Sequence, residues 1–357
     1  MGSVKDLEVV KPPTKNDMGI GRFHFSNRYS VFDWGEMPDH IPFKGEALCI
    51  MGAFFFEKLE EENIRTHYRG VIDQDGKLVR FNELTQPTNI MEFHLVNVYR
   101  PRAYRDRDGT LKYDYSMFTR NLKNYLTPLE IIYRNGLPKG SSVFKRLEQG
   151  LITIKDLGLD HYPKPGEKLP KPIFDVSTKL EEKDRYITWE EAQRIAGLTD
   201  DEVEEIKNKL FKTNDIITEV VSKVGLVNED GKIELAFDSE RRLMIVDVVG
   251  TLDECRFTYD GVHVSKEVAR QFYRRTAWYK DVEEAKKKAE KTGLEDWRKI
   301  CKSSPPKLDP QLKTIISEIY MAAANDITGR KFFEAPKLDE VVRKYREYEE
   351  TRLKSMQ

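Results

Sequence analysis

Asp230-Gly-Lys-Ile-Glu-Leu-Ala-Phe-Asp-Ser-Glu-Arg-Arg-Leu-Met-Ile-Val-Asp247 reads as a β-hairpin with its charges sorted to one side. Side chains alternate between faces along a strand. Ile233, Leu235 and Phe237 therefore face one way, and Lys232 and Glu234 the other. The returning run places Met244, Val246 and Val248 on one face and Asp247 on the opposite one. A two-residue tip at Ser239-Glu240 would set Lys232 across from Asp247 and Glu234 across from Ile245. One face then carries a cation and two carboxylates and is backed by an apolar face. Hard carboxylate oxygens suit Mg²⁺, and an ammonium group is a point charge for phosphate. A cross-strand ion pair on a solvated face gives the same pattern. Taken alone, the pattern favours that plainer reading, because structural ion pairs are common.

Outward from the hairpin, the chain is long enough, at 357 residues, for two domains with sizeable cores. Its 60 basic and 61 acidic residues nearly cancel, so bulk charge offers no attraction to nucleic acid. Cys49, Cys255 and Cys301 are far apart, without metal or redox spacing, and a reducing compartment is the default. The first residues lack the apolar core of a signal peptide. The apolar run Met51 to Phe56 is far too short to cross a membrane. These features predict a cytoplasmic protein with neither membrane nor nucleic-acid partner.

Residues 1–45 are short apolar runs broken by Pro, Gly and Asn, which suits strands and loops. Leu48, Met51, Phe55 and Leu59 recur at helical spacing and predict a helix over Glu46–Glu61. The pattern from 64 to 100 is β-like, clearest at His94 to Tyr99. Residues 100–115 mix basic and aromatic side chains, a composition that could contact nucleic acid. The turn signal Asp108-Gly109 argues more for an exposed hairpin insertion. Leu129–Tyr133 reads as a short strand carrying Glu130. It leads into a loop from Arg134 through Gly140, Ser141 and Ser142, then a helix holding Phe144 and Leu147. Residues 158–172 read as a loop. Thr188-x-x-Glu191 and Thr199-x-x-Glu202 are capping boxes that open two helices, the longer ending near Gly225. A further helix begins around Ser265, and 281–357 is helix-rich with breaks near Gly293 and Pro305-Pro306. No zinc-protease spacing, nucleophile elbow or dinucleotide fingerprint occurs.

Seven segments, in order over about residues 2–257, together resemble the SAICAR synthetases. Gly2-Ser-Val-Lys-Asp6 is similar to G-K-V-R-D. Ser26 to Asp33 is similar to S-D-R-I-S-A-F-D, and Met37 to Gly45 to M-P-D-x-I-P-G-K-G. Leu126 to Asn135 resembles the strand and arginine that lead into the ribonucleotide site. Lys171 to Lys179 resembles P-I-F-T-P-S-T-K, and Asp230 to Leu235 resembles D-T-K-F-E-F. Asp247 to Phe257 is similar to D-E-x-x-T-P-D-S-S-R-F. This conjunction reverses the preference on the hairpin.

The resemblance implies an α+β fold with ATP in a cleft between two domains, in a kinase- or ATP-grasp-like layout. A β-rich ATP-binding domain would span 1–127, a substrate and metal domain 128–280, and a helical extension 281–357. The implied reaction joins L-aspartate to carboxyaminoimidazole ribonucleotide through an acyl phosphate. It consumes ATP with Mg²⁺ and belongs to purine biosynthesis. Gly2, Val4, Lys5, Glu130 and Lys232 would meet ATP, and Glu234 and Asp247 would hold Mg²⁺. Arg134, Ser141 or Ser142, and Arg256 would grip the ribonucleotide phosphate. Lys44 would also touch substrate, Lys179 and Asp184 would lie near the aspartate, and Lys232 and Asp253 would be catalytic. The resemblance also suggests a homo-oligomer. Ser3, Val248, Leu252, Glu254-Cys255 and Lys183 to Tyr186 depart from the family pattern. Those departures keep two alternatives open: a paralogue ligating another amine or heterocyclic carboxylate, and a non-catalytic nucleotide-binding protein.

Overall fold

A computed structural model describes residues 4–292, 294 and 296–353. Two antiparallel sheets organise it. The first takes the order β1-β2-β5-β3-β4. Its strands are β1 (Lys5–Lys11), β2 (Gly19–Phe25), β3 (Tyr68–Ile72), β4 (Leu78–Val79) and β5 (Ile90–Leu95). A separate two-stranded ribbon joins β6 (Arg102–Arg105) to β7 (Leu111–Asp114), the hairpin predicted around Asp108-Gly109. The second sheet runs β10-β9-β8-β11-β13-β14, with β12 also pairing β11. Its strands are β8 (Tyr125–Leu137), β9 (Glu167–Thr178), β10 (Tyr186–Ile187), β11 (Leu226–Phe237), β12 (Leu243–Val246), β13 (Cys255–Tyr259) and β14 (Val262–Val264).

Helices cover these sheets. α1 (Lys44–Glu61) packs on β2, β3 and β5 and is buried over most of its length. α2 (Ser142–Glu148) and α3 (Trp189–Ile195) are short. α4 (Asp200–Ser222) buries Val203, Ile206, Leu210, Ile217 and Val221, a helical stripe laid on β8 and β11. Both capping residues act as expected: Thr188 accepts from the Glu191 N–H and Thr199 from the Glu202 N–H, the second reciprocated by the Glu202 side chain. α5 (Glu267–Tyr273) and α6 (Ala277–Thr292) follow. α7 (Pro310–Thr328) packs against α1 and α8 (Leu338–Tyr348). No helix among the described residues is long and apolar enough to cross a membrane.

The decisive hairpin forms, one residue out of the expected register. Glu234 pairs with Val246 and Phe237 with Leu243, so Lys232 does not face Asp247. A two-residue tip needs positive φ at its first central residue, which suits Gly, Asn or Asp rather than Ser239. Asp238 instead builds a longer turn. Its carboxylate accepts from the Glu240 and Arg242 N–H groups, both at 2.9 Å, and Arg241 takes up the positive φ of 61°. Asp247 follows β12 with a φ of 64°, which breaks the alternation that would point it away from Glu234.

Three other expectations shift. The strand expected at His94–Tyr99 lies at Ile90–Leu95, where Met91 and Phe93 reach the core. β8 does not end before Arg134 but continues through Leu137. Residues 167–172, expected in a loop, open β9.

Candidate active site

Along the continuous pairing of β11 with β8, Asp230, Lys232 and Glu234 share one face with Arg134, Ile132 and Glu130. Asp175 and Ser177 extend that face onto β9. β13 begins beside it, with Arg256 opposite Asp230. Charges are thus laid out along one strand: Asp230 among arginines, Lys232 in the middle, Glu234 beyond. At about 3.3 Å per residue, the first and last stand about 13 Å apart.

The Glu234 end opens into a cavity of ≈ 400 Å³. Val4, Lys5, Lys44, Lys179, Lys232, Glu234, Asp247 and Asp253, all expected from sequence, line it together. Each carboxylate there has its own ammonium partner. Lys5 Nζ is 2.6 Å from Asp247, Lys179 pairs with Glu234, and Lys44 Nζ is 2.7 Å from Asp253. Lys232 donates to Glu130 at 2.6 Å and lies 3.4 Å from Glu254. Burial pushes Lys232 down, but Glu254, Glu130 and Glu234 outweigh it and hold the ammonium well above its ordinary range.

The two carboxylates expected to hold metal are driven apart. Burial, then the nearby Asp247 charge, pushes Glu234 up to about 7. Burial also opposes the Asp247 charge, yet Lys5 and Lys179 outweigh it and bring that carboxyl down to about 2. Asp184 is exposed and does not line the cavity, but its carboxyl feels the cavity lysines Lys179 and Lys232. Partial desolvation first, then Glu130, pushes it up to about 6 against their pull. Burial likewise opposes the charge of Asp253, which Lys44 and Lys266 bring down to about 2.

Arg134, Ser141, Ser142 and Arg256 do not line this cavity. Arg134 is only 2% exposed, at the other end of the shared face. It donates to Asp175 at 2.7 Å, Asp230 at 3.2 Å, Ser142 Oγ at 3.3 Å and Tyr186 Oη at 3.0 Å. Arg256 donates to the same Asp230 at 2.8 Å, and Arg146 donates to Asp175 at 2.8 Å. Three guanidinium groups thus meet two carboxylates, leaving an excess positive charge bordered by hydroxyls. Ser141 is occupied as the N-cap of α2. Gly2 lies outside the described residues.

The sequence reading missed several lining residues. Lys266 and Arg270 enter from α5 at a spacing of four, a signal that was available. Burial, then Arg270, pulls the Lys266 ammonium below its ordinary range against Asp253. Ile316 and Tyr320 enter from α7, and Tyr320 Oη donates to Asp253 at 2.6 Å. Nothing in the sequence marked that pair. Glu254, noted as a departure, lines the cavity and faces Lys232. A larger groove of ≈ 900 Å³ beside the β6–β7 ribbon holds none of the expected residues. Its Arg102 and Arg185 pair with acidic residues in the same groove, so the smaller cavity is the chemically stronger candidate.

The SAICAR synthetase pattern matches residues 13–292. The chain belongs to the SAICAR synthetase family. Members are ATP-dependent ligases that form a succinocarboxamide in purine biosynthesis, and the chain carries that ligase assignment. A putative phosphoribosylaminoimidazole-succinocarboxamide synthase of Archaeoglobus fulgidus is 51% identical over 97% of this chain and 99% of its own length. The phosphoribosylaminoimidazole-succinocarboxamide synthase of Thermoplasma volcanium is 34% identical over 87% of this chain and 93% of its own. The fold is shared with SAICAR synthase from Saccharomyces cerevisiae complexed with SAICAR (TM-score 0.61, 21% identity, 93% and 94% covered). A SAICAR synthetase in complex with ADP also shares it (TM-score 0.53, 20% identity, 86% and 99% covered).

Proposed function

We propose that this SAICAR synthetase joins L-aspartate to carboxyaminoimidazole ribonucleotide, with the shared face of β8, β11 and β13 as its working surface. The order of charges along β11 carries this reading: a cation-rich end for a substrate phosphate, a central lysine, and a carboxylate end for metal and ATP.

Carboxylates do not acylate amines directly, because oxide is a poor leaving group. In the proposed sequence a substrate carboxylate oxygen attacks the γ-phosphorus of ATP. The bond to the β-phosphate oxygen breaks and ADP leaves. The aspartate amine then attacks the acyl carbon, inorganic phosphate departs, and the amine gives up a proton. No protein nucleophile is needed; positioning and charge neutralisation supply the rate.

Lys5 and Lys232 face the ATP phosphates in this reading, with Val4, Gly2 and Glu130 completing the nucleotide contacts. Arg134, Arg256 and Ser142 hold the ribonucleotide phosphate, with Ser141 shaping the helix start beside them. Lys44, oriented by Asp253, fixes the reacting carboxylate, and Lys232 neutralises charge on the transferred phosphoryl group. Lys179 and Asp184 meet the aspartate. Among the described residues no cluster of three or more metal-ligating side chains occurs. Glu234 and Asp247 nevertheless fit Mg²⁺, which takes one or two carboxylates plus phosphates and water. Their mutual repulsion already demands cations, and lysines supply them. When bound, the metal would neutralise phosphate charge.

The same reading takes 1–127, 128–280 and 281–357 as functional units in the cytoplasm, within a homo-oligomer. The deciding experiment supplies ATP, Mg²⁺ and carboxyaminoimidazole ribonucleotide, with and without L-aspartate, and identifies the product by mass. Aspartate-dependent release of ADP and the succinocarboxamide is expected. ATP binding without that product would overturn the proposal and send the search to other amines.

A further inference from the structure

The β6–β7 ribbon is used nowhere in the chemistry above, yet two of its tyrosines reach the loop that carries Lys179 and Asp184. Tyr113 and Tyr115 are two residues apart and so project to the same side of an extended chain. Tyr113 Oη accepts from the Glu182 backbone N–H at 3.0 Å. Tyr115 Oη donates to Glu181 Oε1 at 2.7 Å. The Glu181 carboxylate is only 5% exposed and also pairs with Arg185 at 3.2 Å. Arg185 in turn reaches Glu191 on α3 at 3.0 Å.

The loop is short and fastened at both ends. Lys179 N–H donates to the Pro128 carbonyl, Thr178 N–H donates to the Arg185 carbonyl at 3.0 Å, and Arg185 N–H donates to Thr178 Oγ1 at 3.0 Å. Between these ends, the tyrosine contacts fall on Glu181 and Glu182, flanked by Lys179 and Asp184. The ribbon is itself anchored: the Tyr115 ring packs on Phe118, and Phe118 packs on the fully buried Tyr125.

From this geometry we infer that the 102–115 ribbon is a brace, with Tyr113 and Tyr115 as positioning residues that hold the Lys179–Asp184 loop against the cavity. The inference rests on the proposed role of that loop toward the amine substrate. Neither tyrosine touches a reacting atom. Their hydroxyls fix the loop backbone and Glu181, and so limit the positions from which Lys179 and Asp184 can meet a substrate.

The test uses full-length Tyr113→Phe/Tyr115→Phe, which keeps both rings and removes only the hydroxyls, with Glu181→Gln as a second variant. Hydrogen exchange of residues 179–186 and the KM for each substrate are measured. Exchange in that segment should accelerate by at least about fivefold. KM for L-aspartate should rise by a similar factor, with KM for ATP and Tm unchanged. Unchanged exchange in both variants would overturn the brace, as would a uniform loss of Tm and of all kinetic constants. If exchange accelerates but a different substrate's KM rises, the brace stands and the amine assignment of the loop fails.

Discussion

Lys5 Nζ lies 2.6 Å from an Asp247 oxygen, and this pair ties the first strand of one sheet to the end of the hairpin in the other. Lys5 thereby offsets a carboxylate that otherwise faces Glu234 across the cavity. A phosphate-bound metal would compete for the same carboxylate and leave the ammonium free for ATP. Lys5→Met should raise the KM for ATP by about tenfold or more, the scale of one charge-assisted contact. KM for the ribonucleotide should stay constant. Equal changes in both would remove Lys5 from the nucleotide half of the site.

Glu234→Ala and Asp247→Ala should each abolish Mg²⁺-dependent ADP formation while far-ultraviolet circular dichroism stays native. Retained turnover in the double variant would refute the metal assignment.

Glu234 also sets a pH dependence that can be read without substrate or metal. Its folded-state carboxyl, pushed up by burial and then by Asp247, titrates near 7 against an ordinary 4.5. The folded state therefore binds more protons within that window, and stability falls as pH rises through it. Asp247 acts in the opposite sense: its contribution is present above 3.8 and is lost as pH falls toward 2. Glu234→Gln should thus gain Tm relative to the unsubstituted chain as pH rises from 4.5 to 7, in buffer containing a chelator. A Tm difference that stays flat across that range would contradict the shift.

Arg134 is bound to two carboxylates in the interior. Arg134→Met would leave Asp175 and Asp230 with fewer partners. A loss of about 3–5 kcal/mol is expected from breaking a buried pair, measured by urea unfolding. Arg256 is less buried than Arg134. Arg256→Ala should mainly raise the KM for the ribonucleotide, and an unchanged KM would separate the arginine cluster from substrate.

Tyr320→Phe removes a donor to Asp253 but keeps the ring that lies near the Lys44 ammonium. Turnover should fall by about tenfold, since hydrogen bonds to charged groups contribute about 1.5–3 kcal/mol. Unaltered steady-state kinetics would reduce the α7 contact to packing alone.

The paired strands, the ribbon near Gly109 and the capped helices were legible because period-two patterns, turn dipeptides and Thr-x-x-Glu boxes are local signals. The hairpin register was not, because it depends on the Asp238 side chain building a longer turn. Asp247 was expected on the charged face and reaches it, but through a positive φ after β12 rather than through the expected register. The stretch from Arg134 through Gly140 to Ser142 was expected to be a loop. In the fold Gly136 stays in β8, where an added Cβ would lie 2.4 Å from a Glu229 oxygen. Eight expected residues do line one cavity, whereas the arginine cluster appears as an ion-paired neighbour of it. The Tyr320–Asp253 contact spans 67 positions and left no periodic trace.

The wall contributed by Ile316 and Tyr320 has a consequence for biosynthesis. During N-to-C-terminal translation, every strand of both sheets has been made once Val264 is added. The ribosome must still add more than fifty residues before Tyr320 can close over Asp253 and Lys44. Until Tyr320 has been made, Asp253 lacks the hydroxyl that donates to it in the finished fold. Ligase competence therefore arrives late, well after the scaffold that carries most of its charges.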